Sequence, residues 1–338
     1  MDMQRYSRQT VFRGIGTEGQ QKLLGSRVAI IGIGALGTVI ANNLCRSGVG
    51  FLRLIDRDYV ELSNLQRQTL FNEQDVAEQM PKAVAAYNHL SMVNSQIVLE
   101  PVVTDVSSSN IEELISDVDL VLDGSDNAEV RYLINEACHK KKTPWIYGGA
   151  LVSSGATMNI LPGDNPCYRC VFPGVPAPGS YQTCSTVGVL NMITGVIASV
   201  ESSEAVKILV DSPDVRKNLF QIDVWNNMAS YVDIKRNPNC PTCGGCSYEF
   251  LGQLKGAYTT SLCGHDSFQV VPGMKTAVNL ELLSEKLRNA GTVKYNRFML
   301  SFDDGRISFS LFPDGRAIIK NAKDDMAAKS IYSEYIGF

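Results

Sequence analysis

Residues 28–37 read V-A-I-I-G-I-G-A-L-G, an apolar run that breaks into glycines at 32, 34 and 37. Glycines in this G-x-G-x-x-G spacing allow a tight turn whose backbone N–H groups approach a phosphate at a helix N-terminus. The flanks supply the context the pattern needs. A helix-like stretch follows from Thr38 to Arg46, and the next apolar run, Phe51-Leu-Arg-Leu-Ile, ends at an acid, Asp56. A β-α-β unit closing on an acid about twenty residues beyond the glycines is a nucleotide cradle, with the acid placed for ribose hydroxyls. Read alone, it predicts NAD.

The residues after Asp56 point elsewhere. Arg57-Asp58-Tyr59-Val60-Glu61-Leu62-Ser63-Asn64-Leu65-Gln66-Arg67-Gln68 puts a guanidinium and a row of amides at the mouth of the crevice. A hydride-transfer site has no use for them, whereas a triphosphate does, because such donors hold several anionic oxygens. Met80-Pro81-Lys82 opens a helix with proline in its first turn, so Lys82 sits where the backbone dipole favours anions. Asp119-Leu-Val-Leu-Asp123-Gly-Ser-Asp126-Asn127 is a strand ending in carboxylates, and ligands of open α/β sheets bind at the carboxyl ends of strands. Asp126 is placed to cap the next helix or to hold a magnesium ion on phosphates.

The surrounding pattern fits a doubly wound sheet. A polar helical lead-in covers 5–25, and strands at 28–32, 51–56, 97–102 and 119–123 alternate with helices at 37–47, 81–92, 110–116 and 127–141. That alternation predicts a Rossmann-like, mostly parallel sheet with helices on both faces. A strand from Pro144 and runs at 155–162, 220–225 and 230–234, the last two joined by a turn at Asn226-Asn227, predict an antiparallel extension. Between them lie a Pro/Gly/Ser-rich loop at 173–185, read as mobile, and a helix over 188–210. We expect this domain to occupy 1–248. A small α+β module over 249–338 is expected to contain a strand at 267–272, a helix at 279–290, strands joined at Asp304-Gly305, a further strand after Asp314-Gly315, and a helix at 323–335.

Composition narrows the class. The 338 residues are 44% apolar and 20% charged with net charge −4, which offers no basic surplus for nucleic acid. No apolar run is long enough for a membrane span or a leader peptide, so a cytoplasmic protein is expected. Nine cysteines suggest metal, catalysis or core thiols rather than a disulfide framework. Cys167-Tyr-Arg-Cys170 and Cys240-Pro-Thr-Cys243 form two C-x-x-C pairs, and Cys246 follows Cys243 at the same spacing. A Cys₄ zinc clamp and a redox C-x-x-C both fit the pairs, and Cys246 leaves one zinc ligand open. Cys45 and Cys138 read as packing thiols, and His89, His139 and His265 are scattered.

R-Y-S-R-Q at 5–9, G-x-G-A-L-G at 32–37, D-x-D at 56–58, S-N-L-Q-R-Q at 63–68, P-K at 81–82 and D-G-S-D-N at 123–127 together resemble the ThiF/MoeB family, prokaryotic relatives of ubiquitin-activating enzymes. The resemblance spans about 5–245. It implies an adenylyltransferase: the C-terminal glycine carboxylate of a ubiquitin-like sulfur-carrier protein, of ThiS or MoaD type, attacks the α-phosphate of ATP. The pathways implied are thiamin and molybdopterin biosynthesis. The implied nucleotide site runs through Gly32, Gly34, Ala35, Gly37, Asp56, Asp58, Ser63, Asn64, Gln66, Arg67, Lys82, Asp126 and Asn127. Within it Asp56 takes the ribose, Asn64, Arg67 and Lys82 take the phosphates, and Asp126 takes Mg²⁺. Arg8 is implied to reach the ATP of the partner in a homodimer. Cys184, within the 173–185 loop, matches the position that takes part in sulfur transfer in ThiF-type members, with a sulfur-donor protein as a further partner. The family pattern also favours Cys167, Cys170, Cys240 and Cys243 as zinc ligands. Position 35, often glycine in relatives, is alanine. Competing readings are adenylylation of a peptide C-terminus in natural-product maturation and an NAD oxidoreductase. The second leaves S-N-L-Q-R-Q and Lys82 unexplained. The module after 249 shows no rhodanese-like cysteine loop, and Cys263 is its only candidate thiol.

Overall fold

The computed structural model describes residues 3–163, 165–174, 184–252, 258–261, 267–272 and 277–337. The chain divides into two compact units, Met1–Gln182 with Val187–Gln253, and Thr183–Thr186 with Leu254–Phe338. In chain order the elements before residue 253 begin with α1 (Ser7–Thr10), α2 (Gly16–Gly25), β1 (Arg27–Ile31), α3 (Ala35–Ser47), β2 (Phe51–Asp56) and α4 (Glu73–Ala77). They continue with α5 (Lys82–Val93), β3 (Val98–Val103), α6 (Ile111–Leu114), β4 (Leu120–Asp123), α7 (Ala128–Lys141), β5 (Trp145–Leu151) and β6 (Ser154–Ile160). The last are α8 (Tyr168–Val171), α9 (Cys184–Val187), α10 (Asn191–Leu209), β7 (Leu219–Asp223) and β8 (Met228–Val232).

Eight strands form one sheet in the order β3-β2-β1-β4-β5-β6-β7-β8. β3 to β5 run parallel, and β6 to β8 extend the sheet antiparallel, as the change of pattern after 144 predicts. Strand order reverses at β1, so the crevice lies beyond the carboxyl ends of β1 and β4. The central strands are mostly apolar, with Arg53 within β2 the exception, because both faces are covered. Val28, Ile30, Leu52, Leu54, Leu120 and Leu122 pack with Ile40 and Leu44 of α3, Leu90 of α5 and Ile197 of α10. The alternate residues Ala29, Ile31, Ile55, Val121 and Trp145 pack with Ile111 of α6 and Ile134 and Cys138 of α7. Two faces, each burying several large aliphatics at about 1.5–3 kcal/mol apiece, hold the strand ends in register.

Two boundaries differ from the sequence reading for identifiable reasons. The helix expected over 188–210 starts at Asn191, because Gly188 takes φ +80 and Val189 bridges Val152 instead. The strand expected at 230–234 begins at Met228, because Asn227 turns the chain with φ +53 and Asp223 pairs with Met228.

The second unit is a six-stranded antiparallel sheet in the order β11-β12-β13-β14-β10-β9. Its elements are β9 (Tyr258–Ser261), β10 (Ser267–Val271), α11 (Leu280–Leu287), β11 (Thr292–Tyr295), β12 (Leu300–Asp303), β13 (Ser308–Leu311), β14 (Ala317–Lys320) and α12 (Asp325–Tyr335). Leu300, Phe302, Phe309, Leu311 and Ile319 bury one face with Leu280, Leu287, Ala328 and Tyr332. β9 and β11 are not legible in the sequence: β11 is four residues long and turns no residue fully inward.

Candidate functional site

The glycine turn is built by contacts between main chains. Gly32 has φ +89, and a Cβ there would lie 2.6 Å from the Gly124 carbonyl. A Cβ on Gly37 or Gly124 would strike the Gly32 carbonyl oxygen. The Gly32 N–H donates to Ile55 O at 2.8 Å and the Gly124 N–H to Ile31 O at 2.7 Å, which joins the ends of β1, β2 and β4. Gly34 differs, because the nearest atom to a Cβ there is Gln68 Nε2 at 3.9 Å. It caps α3 without a side-chain bond, which leaves first-turn amides of a 13-residue helix for a ligand.

Asp56 organises this turn. One carboxylate oxygen accepts the Ile33 N–H and the other the Asp58 N–H, both at 2.7 Å. Burial, with the neighbouring Asp58 charge, raises its pKa, while Lys82 works the other way. Lys82 begins α5 after Pro81, and its N–H donates to Asp58 O at 2.9 Å. The Lys82 ammonium is buried 3.4 Å from Asp58 Oδ2. Burial opposes its charge, yet Asp58, Asp56 and Asp126 together hold its pKa above the usual lysine value. Arg57 adds a second cation, 2.9 Å from Asp105 and 3.7 Å from Asp58.

The two carboxylates that close β4 separate in role. Asp123 is fully buried and committed: Arg131 Nε donates to it at 2.8 Å, and Ser125 donates through N–H and hydroxyl at 2.9 and 2.6 Å. Arg131 also donates to Ser125 O and Gly148 O, so it pins the 124–127 loop to β5. Asp126 is exposed; among the described residues no hydrogen bond reaches it, and Arg57 and Lys82 act on it through their field. Asn127, not Asp126, caps α7, accepting the Glu129 N–H at 2.8 Å.

Of the residues singled out from sequence, Asp56, Asp58, Lys82 and Asp126 thus form one electrostatic cluster beside the glycine turn. Asn64 is buried and accepts the Glu61 N–H at 3.0 Å, and Arg67 donates to Ser63 O at 2.9 Å. Gln68, not singled out, is buried near Gly34 with its Oε1 lacking a partner among the described residues. Arg8 and Gln66 are exposed, and no hydrogen bond or ion pair among the described residues joins Arg8, Ser63, Gln66 or Asn127 to the cluster. Cys184 is described only as the first backbone position of α9; its side chain, and Cys263, lie outside the described residues, as do 175–183 of the loop.

Cys167, Cys170, Cys240 and Cys243 converge, all four sulfurs lying within 4.8 Å of one another. Neighbouring sulfurs are 3.4, 3.6 and 4.0 Å apart. A tetrahedron of Zn–S bonds of about 2.3 Å places its sulfurs about 3.8 Å apart. Cys246 is exposed and outside this group. The Asn237 N–H donates to Cys170 Sγ at 3.5 Å. Burial, together with the neighbouring thiols, raises the Cys243 pKa to about 11. Just beyond, the buried Glu136 accepts the N–H groups of Glu249, Phe250 and Leu251 at 3.1, 2.8 and 3.0 Å.

A profile of the ThiF family matches residues 6–242. The chain belongs to the ThiF family. Among ThiF-family proteins it is 39% identical over 336 residues to the sulfur carrier protein ThiS adenylyltransferase of Bacillus subtilis, covering 98% of this chain and 99% of that one. It is 38% identical over 243 residues to the SAMP-activating enzyme E1 of Haloferax volcanii, covering 72% and 89%. The first match runs through the second unit as well. Among solved structures, E. coli MccB with ATP superposes with TM-score 0.63 at 22% identity over 71% of this chain and 74% of that one, a likeness of fold.

Beneath this ThiF-type site lies a group the sequence does not signal. Glu201 of α10 is fully buried, and neither carboxylate oxygen has a partner among the described residues. A Cβ on Gly148 would collide with it, so the glycine makes room for the carboxyl. Burial, then the Asp123 charge, pushes its pKa well above the usual value. The native state therefore holds this proton more tightly than the unfolded chain, and stability falls as pH rises from the ordinary glutamate range through the raised one. Glu201→Gln removes that loss. Thermal melts are expected to show the variant about 2–4 °C more stable than the parent at pH 8, with little difference at pH 5. An equal shift at both pH values would contradict the assignment.

Proposed function

We propose that this adenylyltransferase activates the C-terminal glycine carboxylate of a ubiquitin-like sulfur carrier of the ThiS type, consuming ATP and releasing pyrophosphate. The observation that carries the reading is Lys82: a buried ammonium at the first turn of α5, amid Asp56, Asp58 and Asp126, beside the glycine turn. The match to a ThiS adenylyltransferase along almost the whole chain supports the choice of carrier.

In the reaction a carboxylate oxygen of the carrier attacks the α-phosphorus. The bond from that phosphorus to the bridging oxygen breaks, and pyrophosphate leaves with the bond electrons. Anion meets polyanion, so placement of positive charge supplies most of the rate. The uncapped start of α3 and Gly34 receive the phosphates, Lys82, Arg67 and Asn64 hold them, and Asp56 takes the ribose. Ala35, Gly37, Asp58, Ser63, Gln66 and Asn127 complete the nucleotide site. Asp126 fits Mg²⁺, since its carboxylate is exposed and accepts no hydrogen bond among the described residues; the ion supplies charge neutralisation on the phosphates. Arg131 and Asp123 fix the loop on which Asp126 stands.

The four-cysteine cluster fits zinc by donor type and spacing, with a structural role. Arg8 serves the neighbouring site in a homodimer, and Cys184 takes part in sulfur transfer with a donor protein. The ATP-binding domain spans 1–248 and the C-terminal module 249–338. The setting is the cytoplasm; no helix among the described residues is long and apolar enough to cross a membrane.

The test is intact-mass measurement of a Gly-Gly-ended ThiS-type carrier after incubation with the protein, Mg²⁺ and ATP, with pyrophosphatase present. The expected product is the carrier plus one adenylyl group, absent when the terminal Gly-Gly is removed. An unmodified carrier under these conditions counts against the proposal.

A further inference from the structure

We infer that Gln68 is a further catalytic residue, its side-chain N–H₂ donating to an α-phosphate oxygen while the carrier's carboxylate attacks. The inference deepens the reading of this crevice as the triphosphate site and rests on it. Gln68 lies one turn beyond Asn64. Its N–H donates to Asn64 O at 2.9 Å, and its carbonyl oxygen accepts the Phe71 N–H at 3.2 Å. This turn sets Asn64 and Gln68 inward, 6% and 4% exposed, while Gln66 between them is exposed. The main chain therefore holds Gln68 in place. Its carboxamide makes no hydrogen bond among the described residues, and its Oε1 is buried. An unanswered buried oxygen is unfavourable, and an apolar side chain of similar length would fill the space without that cost. The presence of an amide is accounted for if its donor end is used.

That donor end stands at Gly34. Nε2 is the nearest atom to the place a Cβ on Gly34 would take, at 3.9 Å, level with the Gly124 carbonyl oxygen. Space does not demand glycine at 34 as it does at 32 and 37, whereas close approach of a ligand to the main chain does. The residue before it identifies the ligand group. The Ile33 N–H is bound to Asp56, the ribose acid of the proposed site, at 2.7 Å. The α-phosphate is the group bonded to that ribose, so it falls at Gly34 and the first-turn amides of α3, within reach of Gln68. The outer phosphates are left to the charged groups. In the step, the carrier's carboxylate oxygen bonds to the α-phosphorus as the bond to the bridging oxygen breaks. Gln68 neither gains nor loses a proton, and as a neutral donor it forms no ion pair with Asp56 or Asp58.

The test is Gln68→Met in the full-length protein, which keeps the length and removes both polar atoms. Carrier-dependent ATP–pyrophosphate exchange is expected to fall about 10²-fold, the cost of one preorganised donor. The Kd for ATP, from calorimetric titration with Mg²⁺, is expected to stay within about threefold, because the bond gains strength at the transition state. Tm is expected to equal or exceed the parent's, since an unanswered buried oxygen is removed. Exchange within about threefold of the parent would overturn the assignment. A loss confined to ATP affinity would overturn the placement at the α-phosphorus, and a Tm lower by about 5 °C or more would make Gln68 a structural residue. Should Gln68→Met fail to fold, Gln68→Glu carries the test. It keeps the shape and replaces the donor by an acceptor, so exchange is expected to fall at least about 10²-fold, and parental exchange there would overturn the inference. A folded parent protein that binds no ATP would instead overturn the triphosphate reading itself.

Discussion

Replacing Lys82 by alanine is expected to lower carrier-dependent ATP–pyrophosphate exchange by about 10²–10³-fold, the usual cost of losing one preorganised charge donor at a transition state. Lys82 is suited to such an effect because its position owes little to its own side chain. Pro81 starts the helix, the Lys82 N–H is tied to Asp58 O at 2.9 Å, and the ammonium is buried. The field of three aspartates keeps it charged against burial, so it meets the triphosphate as a cation throughout the working pH range. The loss should fall on turnover as well as on the KM for ATP, because charge builds on the leaving pyrophosphate only as the bond breaks. Lys82→Ala removes a buried cation from beside Asp56 and Asp58, so a melting curve must accompany the rates. A near-normal exchange rate in a folded variant would remove Lys82 from the phosphate site.

The second large effect is expected at the cysteines. Changing Cys243 to serine should take bound zinc from about one per chain to none, and lower Tm by about 10 °C or more, the order expected when a metal site worth several kcal/mol is lost. The reason is chain topology. Cys167 precedes the short α8 and Cys170 lies within it, whereas Cys240 and Cys243 lie 73 residues further along. Cross-linking segments so far apart removes much freedom from the unfolded chain. Beyond Cys243 the Glu136 carboxylate gathers three backbone amides, so loss of the clamp should also free the segment at 249–251. Elemental analysis and calorimetry read both outcomes. Cys246→Ser serves as the contrast, since Cys246 is exposed and outside the cluster, and it should change neither. Undiminished zinc in Cys243→Ser would contradict the ligand set.

Which of these features the sequence announces depends on the range of the interaction. The glycine turn is legible because a main-chain contact between Gly32, Gly37 and Gly124 excludes any side chain, and such exclusion leaves a fixed local spacing. Lys82 is legible because Pro81 marks a helix start. Buried central strands announce themselves as mostly apolar runs, interrupted in β2 by Arg53. Partnerships between distant side chains leave no such mark. Nothing near Asp123 in the sequence says that it is spent on Arg131 while Asp126, three residues on, stays exposed. The Arg57–Asp105 pair joins the ends of two strands and has no spacing rule. Glu201 lies within an otherwise helical apolar pattern, and only the packing of α10 against Gly148 reveals it as a buried acid. β9 and β11, the two edge strands of the second sheet, escape the sequence reading; β11 turns no residue fully inward, unlike the equally short β12, β13 and β14.

The central claim is that the glycine turn cradles a nucleotide consumed in every turnover, rather than a redox cofactor that cycles. Isotope exchange between labelled pyrophosphate and ATP tests this most directly, with NAD binding measured on the same sample. The expected result is exchange that depends on a Gly-Gly-ended carrier and on Mg²⁺, and no tight NAD binding. Tight NAD binding with no exchange in the presence of that carrier would contradict it.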